Sequence, residues 1–411
     1  MSTDLTTAEG RQRLAAVYRE TLLSDVMPFW RRHGLDREHG GLLTCLARDG
    51  SIVDTDKSVW FQGRAAWMFT TLAQTPAASG DGWSPTRDED LAAARSCLEF
   101  LREYGAGPGG KLYFSVTREG QPLRMRRYVY SESFAAMANA AFAKATGDAR
   151  AAEDATQHFA TYLHHSFTPG VMPPKFAATR PSKGLGPLMI AIATAQELRA
   201  NLGDVTVRGA TCTEWIDRSI AEIARDFLKE EHHALLEVVA PDGRVIDHHE
   251  GRTLNPGHAL ECAWFVMHEG ELRGDKKLIQ VGATILDWMW ARGWDSEHGG
   301  LLYFTDLLGK PVQEYWHDMK FWWPHNEAII ATLLAWQLTG ERRYAERHRL
   351  VHDWSFKHFA DPEHGEWFGY LHRDGRISSS AKGTLYKGPF HLPRCLWYCW
   401  QRLEPAPAAR A

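Results

Sequence analysis

The sequence lacks the features that would attach the protein to a membrane or to a nucleic acid. No uninterrupted apolar run reaches the length of about 18 residues that suggests a membrane-spanning helix, and residues 1–11 are polar, without the apolar core of a signal peptide. The formal net charge is −4, and the charged residues form no basic stripe and no charged tail. We therefore expect a cytoplasmic protein that binds neither nucleic acid nor membrane and acts on a small molecule.

Cysteine pairs and metal-binding motifs are missing as well. The six cysteines fall within apolar patterns and form no C-x-x-C pair, which predicts buried reduced thiols rather than disulfides or a zinc site. His248, His249 and Glu250 are adjacent but lack the i, i+4 spacing of helical metal ligands and a third ligand in register. The P-loop pattern G-x-x-x-x-G-K-[ST] does not occur. The sequence predicts no metal ion and no P-loop.

A short turn, in contrast, recurs along the chain. Its three clearest copies share the pattern Asp-x-Glu-His-Gly, and two weaker copies lie between them. The copies are residues 36–41, 109–112, 231–234, 295–300 and 361–366. Their spacing of about 65 residues, doubled once, predicts a repeated architecture with a sixth, degenerate copy near residues 169–174. His39, His298 and His364 recur with the turn, so we expect them to be structural rather than catalytic.

Between the turns, the apolar residues have helical spacing, with two helices in each period. One set is amphipathic and is predicted to face solvent: residues 11–32, 91–104, 148–165, 212–230, 276–292 and 341–359. The other set is apolar, rich in alanine, and predicted to lie inside: residues 58–72, 131–145, 187–201, 256–267, 324–338 and 393–403. This alternation predicts an all-α fold, an (α/α)6 barrel of six inner and six outer helices with short β-hairpins at one rim. The barrel would be a single domain over residues 1–411 with a flexible tail at residues 404–411, and an open superhelical array is the alternative.

Prolines mark where the inner helices should begin. Pro187, Pro256, Pro324 and Pro393 suit a first helical turn, in which the missing N–H has no partner to lose. Polar residues lie at matching positions near these starts. They are Arg64, Glu132, His258, His325, Glu327 and His391. We expect them to converge at one mouth of the barrel, where helix N-termini favour an oxyanion or sugar hydroxyls.

Two histidines at equivalent helix starts suggest proton transfer. A helix N-terminus disfavours a charged imidazole, so His258 would be neutral and able to accept a proton, although by itself it could also cap its own helix. By itself, His391 could be a packed core residue. As a pair, they could remove a proton from one face of a carbon atom and return a proton to the other face.

Charged and aromatic residues near the same helix starts indicate how a ligand would be held. Arg64 lies in an aromatic helix, and its burial requires a structural carboxylate or a substrate oxygen. Glu327 follows two tryptophans and would either compensate the helix dipole or orient a ligand or a histidine. Glu261 would either orient His258 or form a buried salt bridge. The 17 tryptophans offer platforms for the apolar faces of sugar rings.

Six motifs together carry a family resemblance. They are DREHGG (36–41), KSVWFQGR (57–64), LNPGH (254–258), WWPHNEA (322–328), GEWFGY (365–370) and KGPFHLPR (387–394). Over nearly the whole chain, the sequence resembles the N-acylglucosamine 2-epimerases, known in animals also as renin-binding proteins. The resemblance implies a metal-independent (α/α)6 barrel in which His258 and His391 are catalytic and Arg64 and Glu327 lie in the same pocket. The further residues expected to bind substrate are Trp60, Glu132, Glu261, Trp323, His325 and Arg394.

The resemblance also implies a reaction, the inversion of carbon 2 in N-acetylglucosamine or N-acetylmannosamine after the sugar ring has opened. One histidine would remove the carbon-2 proton, Arg64 would stabilise the enediolate, and the other histidine would reprotonate the opposite face. Relatives that isomerise mannose or epimerise cellobiose carry a further histidine on the third inner helix, where this chain has KGLGPLMI at residues 183–190. We therefore expect acetylated substrates, with non-acetylated sugars (mannose, glucose or cellobiose) as the alternative.

Two other classes of function compete with the epimerase. A glycoside hydrolase on the same fold would use two carboxylates among Glu132, Glu261 and Glu327, but it would leave the paired histidines unexplained. A non-catalytic binding protein would tolerate the loss of either histidine. The chemistry needs no cofactor. Some members of the family bind ATP as an activator and members often form homodimers, so ATP activation and a homodimer stay open for this chain.

Overall fold

The computed structural model describes residues 3–75, 87–172 and 178–404. In chain order its helices are α1 (Ala8–Glu20), α2 (Met27–Phe29), α3 (Val59–Gln74), α4 (Arg87–Tyr104), α5 (Tyr130–Thr146), α6 (Ala149–Phe167), α7 (Gly186–Leu202), α8 (Cys212–Glu222), α9 (His249–Arg252), α10 (Pro256–Arg273), α11 (Lys276–Gly293), α12 (Trp322–Thr339), α13 (Arg342–His358) and α14 (His391–Leu403). The inner ring consists of α3, α5, α7, α10, α12 and α14, and the outer ring of α1, α4, α6, α8, α11 and α13. The predicted (α/α)6 barrel is confirmed.

The inner helices pack closely because small residues let their backbones approach. From Ser131 to Ala143, every residue of α5 is buried. Gly63 of α3 lies against α5, and a Cβ atom there would come within 2.7 Å of the carbonyl of Phe134. The ring closes where Trp67 of α3 meets Trp397 of α14, with ring centroids 6.3 Å apart. The open superhelical array is therefore excluded.

Short antiparallel strands lie in the connections between helices. They are β1 (Lys57–Ser58), β2 (Ser115–Val116), β3 (Pro122–Arg124), β4 (Lys183–Gly184), β5 (Thr206–Val207), β6 (Ala210–Thr211), β7 (Leu228–Lys229), β8 (Ala234–Leu235), β9 (Val238–Val239), β10 (Thr253–Leu254), β11 (Thr305–Asp306), β12 (Lys320–Phe321), β13 (Tyr370–Leu371) and β14 (Ile377–Ser379). Strands β1, β4, β10 and β12 lead into inner helices. The predicted hairpins at one rim are therefore present, and the β5–β6 hairpin, which joins inner helix α7 to outer helix α8, is an additional one. Arg208 and Gly209 form its turn with φ of 51° and 77°, the left-handed conformation that tight hairpins favour.

Two outer helices end differently from the sequence prediction. The first, expected over residues 11–32, is regular only to Glu20 and continues as wide π-turns at Thr21–Val26 and Trp30–Gly34. Pro28 between them cannot donate a hydrogen bond and crowds the preceding turn, which favours wider turns. The fourth, expected over residues 212–230, is regular to Glu222 and closes in a π-turn, because β7 pairs with β8 instead.

The strongest turn copies share a buried ionic arrangement. In each, the aspartate accepts a backbone N–H from the residue two positions later and pairs with a fully buried lysine at 2.8–2.9 Å. The pairs are Asp36 with Lys57, Asp295 with Lys320, and Asp361 with Lys382. An arginine from the next repeat around the ring binds each aspartate: Arg118, Arg373 and Arg48 respectively. Arg48 of the first repeat binds Asp361 of the last repeat, so this ion pair links the two ends of the closed ring.

The remaining sequence expectations have mixed outcomes. The six cysteines are free thiols, five of them buried. The predicted sixth turn copy is only partly covered, because Pro173 and Pro174 lie outside the described residues; Pro169–Val171 do form a turn. The predicted flexible tail also lies outside them, apart from Glu404. None of the helices in residues 3–75, 87–172 and 178–404 combines the length and apolar character needed to cross a bilayer.

We expect the Asp361→Ala substitution to destabilise the protein by about 3–5 kcal/mol, because it leaves Lys382 buried without its carboxylate. Urea unfolding followed by circular dichroism measures this loss. The matched control is Glu363→Ala, which removes an exposed carboxylate that pairs with the same Arg48 and should change stability by less than about 1 kcal/mol. Equal losses in the two variants would contradict a structural role for the buried pair.

Candidate active site

One large cavity opens at the N-terminal ends of the inner helices. Its volume is about 700 Å³ and its wall is mainly aromatic. Each inner helix contributes a residue from its first turn, and these residues are Trp60, Tyr130, Gly186, His258, Trp322 and His391. The predicted meeting of helix starts at one mouth therefore occurs. Of the residues predicted to be functional, Trp60, Arg64, His258, Glu261, Trp323, His391 and Arg394 line the cavity.

His391 is held from behind by a carboxylate. Its Nδ1 lies 2.7 Å from Glu327 Oε1, and Glu327 is fully buried. Arg394 Nη2 is farther from the same ring nitrogen, at 3.4 Å, so the carboxylate is the closer partner and Nδ1 carries a proton that it donates. Burial lowers the pKa of His391 well below its usual range, and the nearby guanidinium groups of Arg64 and Arg394 lower it further. The imidazole is therefore neutral and has Nε2 as its proton acceptor.

Glu327 is fixed by two further donors on different inner helices. Trp264 Nε1 donates to Oε2 at 2.8 Å, and Arg394 Nη2 donates to Oε1 at 2.5 Å. The same Arg394 nitrogen also donates to Glu261 Oε1 at 2.8 Å. A single guanidinium thus binds two carboxylates. Oxygen atoms of Glu261 and Glu327 and a ring nitrogen of His391 come close enough to suggest a metal site, but the arginine already supplies the positive charge between the carboxylates.

The side chain of His258 is more exposed to solvent than that of His391. Its side chain is 39% exposed, and its Nδ1 lies 3.0 Å from Glu237 Oε1. Asn255 caps α10 by accepting the backbone N–H of His258 at 3.2 Å. Gly257 lets Trp323 lie against this helix start, because a Cβ there would meet the Trp323 ring at 2.7 Å. His258 is thereby placed with a carboxylate on one side and an indole on the other.

Trp323 is in ring contact with both histidines. Its ring centroid is 5.0 Å from that of His258 and 5.7 Å from that of His391. The two interplanar angles are nearly equal, 38° and 40°. An indole face in this position can support a small ring or chain of carbon atoms between two imidazoles.

Arg64 lies in an aromatic enclosure. Its Cζ is 3.9 Å from the ring centroid of Phe134, 4.5 Å from that of Phe390 and 4.8 Å from that of Trp60. Burial lowers the pKa of its guanidinium to about 9. Its buried Nε has no hydrogen-bond partner among the described residues. A buried cation with an unused donor beside a cavity is suited to an anionic oxygen of a ligand.

Glu132 and His325 lie at helix starts, as expected, but do not line the cavity. Glu132 Oε1 accepts the backbone N–H of Leu112 at 2.7 Å, and His325 Nε2 accepts that of Leu301 at 2.9 Å. Gln62 does the same for Leu42 at 2.8 Å. All three side chains satisfy a backbone N–H of the repeated turn, so the structure gives Glu132 and His325 a scaffold position rather than a substrate contact. Like them, the turn histidines His39, His298 and His364 do not line the cavity.

The sequence analysis did not identify two residues that lie behind the cavity wall. Glu237 reaches His258 from the segment between β8 and β9, and Trp264 reaches Glu327 from α10. The only signal for Glu237 was a single carboxylate within the apolar run 234–240. Trp264 sits among apolar residues of a core helix and carried no signal. Both depend on contacts between segments far apart in the chain.

Paired histidines in an aromatic cavity of an (α/α)6 barrel indicate an isomerase that acts on a sugar. A family model for N-acylglucosamine 2-epimerase (GlcNAc 2-epimerase) matches residues 41–389. The N-acylglucosamine 2-epimerase of Mus musculus is 37% identical over 94% of this chain and 93% of its own, and that of Homo sapiens is 35% identical over 94% and 90%. The chain belongs to the N-acylglucosamine 2-epimerase family and is a sugar 2-epimerase.

A solved structure gives independent support for the fold. The cellobiose 2-epimerase of Bacillus thermoamylovorans B4167 aligns with a TM-score of 0.81, covering 95% of this chain and 100% of its own. Its sequence is only 18% identical, so this likeness concerns the barrel and not the substrate.

The scaffold position of Glu132 predicts a pH-dependent effect of Glu132→Gln. Burial raises the pKa of Glu132 from its ordinary 4.5 to about 7. Between pH 4.5 and about pH 7, the unfolded chain loses the Glu132 proton while the folded protein keeps it. Glu132 therefore makes the free energy of unfolding fall as the pH rises. Glutamine has no such proton and can accept the same N–H. Relative to the parent, the variant should gain about 1–3 kcal/mol of unfolding free energy from about pH 5 to about pH 8.

Urea unfolding at both pH values measures this gain. Epimerase turnover of the variant should match that of the parent, since Glu132 does not line the cavity. A loss of turnover with unchanged stability would instead indicate that Glu132 contacts the substrate.

Proposed function

We propose that the protein interconverts N-acetylglucosamine and N-acetylmannosamine. The observation that carries the proposal is a pair of histidines, His258 and His391, each bound through Nδ1 to a carboxylate, both lining one cavity and both in ring contact with Trp323. Two bases on opposite sides of a carbon atom are what inversion by proton transfer requires. The acetylated substrate is supported by the relatives named N-acylglucosamine 2-epimerase, which match nearly the full chain.

The reaction begins with the open-chain aldehyde, whose carbonyl makes the carbon-2 proton acidic. One histidine removes this proton. His391 suits the task because it is neutral, and Glu327 is placed to stabilise the imidazolium that forms when Nε2 takes the proton. The electron pair of the broken C–H bond forms a double bond between carbons 1 and 2, and the carbonyl electron pair moves to the aldehyde oxygen. The product is an enolate rather than an enediolate, because carbon 2 carries the acetamido nitrogen and no hydroxyl group. The other histidine donates a proton to the opposite face of carbon 2, and the aldehyde re-forms in the inverted epimer.

Arg64 supplies the positive charge that stabilises the enolate. Its guanidinium lines the cavity within a wall of aromatic rings, where water competes little for its donors. The guanidinium group can donate a hydrogen bond to the developing oxyanion from the cavity wall. Stabilisation of this kind strengthens with negative charge, so it favours the intermediate over the neutral aldehyde.

The hydrolase alternative fits the geometry poorly. Glu261 and Glu327 both accept hydrogen bonds from the same nitrogen of Arg394, so both already serve as acceptors for a buried cation. A glycosidase needs one of its carboxyl groups to hold a proton for the leaving group. Glu132, the third candidate, binds the backbone of a turn instead.

The substrate proposal can be tested by incubating N-acetylglucosamine or N-acetylmannosamine with the protein in heavy water. Proton NMR should show the other epimer with deuterium at carbon 2, because the proton that returns comes from a histidine in exchange with solvent. Parallel reactions contain glucose, mannose, fructose or cellobiose. Turnover of these sugars without turnover of the acetylated ones would refute the acetylated substrate and leave the epimerase class intact.

The assignment of His258 and His391 predicts that replacing either by alanine reduces kcat by about 10³-fold or more while the protein melts like the parent. The chain offers a matched control in His298→Ala, which removes a partly exposed turn histidine that does not line the cavity. Coupled measurement of kcat and thermal unfolding separates lost chemistry from lost structure. Retained turnover in either cavity variant would reject the role assigned to that histidine.

Four further expectations stay predictions. We propose that no metal or cofactor takes part in the chemistry, so a chelator in the same assay should leave turnover unchanged. ATP as an allosteric activator is tested by adding it to parallel reactions. The homodimer is tested by light scattering of the purified chain, and the cytoplasmic location by cell fractionation.

A further inference from the structure

Backbone hydrogen bonds hold Glu237 in place beside the cavity. It lies between β8 and β9, and β9 pairs with β4 immediately before inner helix α7. Its carbonyl accepts the backbone N–H of Leu185 at 2.9 Å. The Glu237 backbone is therefore tied to the start of one inner helix while its side chain reaches His258 at the start of another, α10. Nothing in the repeated turn requires a carboxylate there.

The ring nitrogen that Glu237 contacts has a competing neighbour. His258 Nδ1 lies 3.0 Å from Glu237 Oε1 and 3.2 Å from Asn255 Nδ2. Because Asn255 Oδ1 accepts the backbone N–H of His258, its amide must present the Nδ2 donor toward the ring. The two neighbours select opposite tautomers. Glu237 accepts a proton from Nδ1, whereas Asn255 would donate one to an unprotonated Nδ1.

The opposite side of the cavity repeats this arrangement. His391 Nδ1 has the carboxylate of Glu327 at 2.7 Å and a competing donor, Arg394 Nη2, at 3.4 Å. In both cases the carboxylate is the nearer neighbour. The settings differ in exposure: the His391 side chain is 10% exposed and that of His258 is 39% exposed.

We propose that Glu237 is the positioning residue of His258. It keeps the proton on Nδ1, assigns proton transfer with substrate to Nε2, and stabilises the imidazolium that forms when His258 acts as the base. When His258 acts as the acid, the same contact orients the imidazolium that donates to carbon 2. Glu237 does not touch the reacting atoms. The inference rests on the proposed role of His258 in the epimerisation.

The substitution Glu237→Gln tests the proposal. Glutamine keeps the size of the side chain but offers an amide that can donate to Nδ1, as Asn255 does, so the proton should move to Nε2. We expect kcat to fall by about 10²-fold or more and KM to change by less than about threefold, since the substrate contacts stay in place. Glu237→Asp, which retains the carboxylate, should recover part of the loss. The control is Glu231→Gln on the exposed turn before β8, with parental kinetics.

A second readout needs no substrate. Nitrogen-15 NMR of histidine-labelled protein distinguishes protonated from unprotonated ring nitrogens, and the His258→Ala spectrum identifies the His258 signals. The parent should show a protonated Nδ1 and the Glu237→Gln variant a protonated Nε2. Unchanged tautomers, or a kcat within about threefold of the parent in a variant that melts normally, would overturn the role of Glu237. If the parent epimerises no acetylated sugar, the substrate proposal fails while the NMR result still decides this one.

Discussion

The guanidinium of Arg394 is the interaction on which the catalytic half of the cavity depends. It comes from α14 and binds Glu261 of α10 and Glu327 of α12, so it joins three inner helices at their N-terminal ends. Two carboxylates this close would repel each other in a dry interior. The positive charge of the arginine between them offsets this repulsion. Glu327 can then act as a hydrogen-bond acceptor for His391, which in turn keeps Nε2 ready to accept a proton.

Burial gives the two histidines different properties although the chemistry needs both. His391 has an almost dry environment, where two guanidinium groups and desolvation favour its neutral form. His258 is partly exposed and is held by Glu237, with Asn255 behind it. A proton that reaches His258 is therefore close to water, whereas one that reaches His391 is enclosed by protein. This difference in solvent access would make exchange with solvent faster at His258 than at His391.

Much of the fold could be predicted from the sequence, because helical periodicity and the prolines of the inner helices are local signals. The pairing of His258 and His391 also followed from their equivalent places at helix starts. The same reasoning placed Glu132 and His325 in the site, but neither residue lines the cavity. A helix turns about 100° per residue, so neighbouring positions in one turn face different ways. Trp323 faces the cavity while His325, two positions later, faces the turn at Leu301.

The repeated turn explains why some polar residues at helix starts do not line the cavity. Three copies of the turn present a backbone N–H to an inner helix, and Gln62, Glu132 and His325 each accept one such N–H. These side chains differ, yet each meets the same demand for a buried acceptor. A side chain that supplies this acceptor faces the turn and therefore cannot also face the cavity. Catalysis depends instead on helix-start positions whose side chains face the cavity. His258 and His391 occupy such positions, and Glu237 reaches His258 from behind the cavity wall.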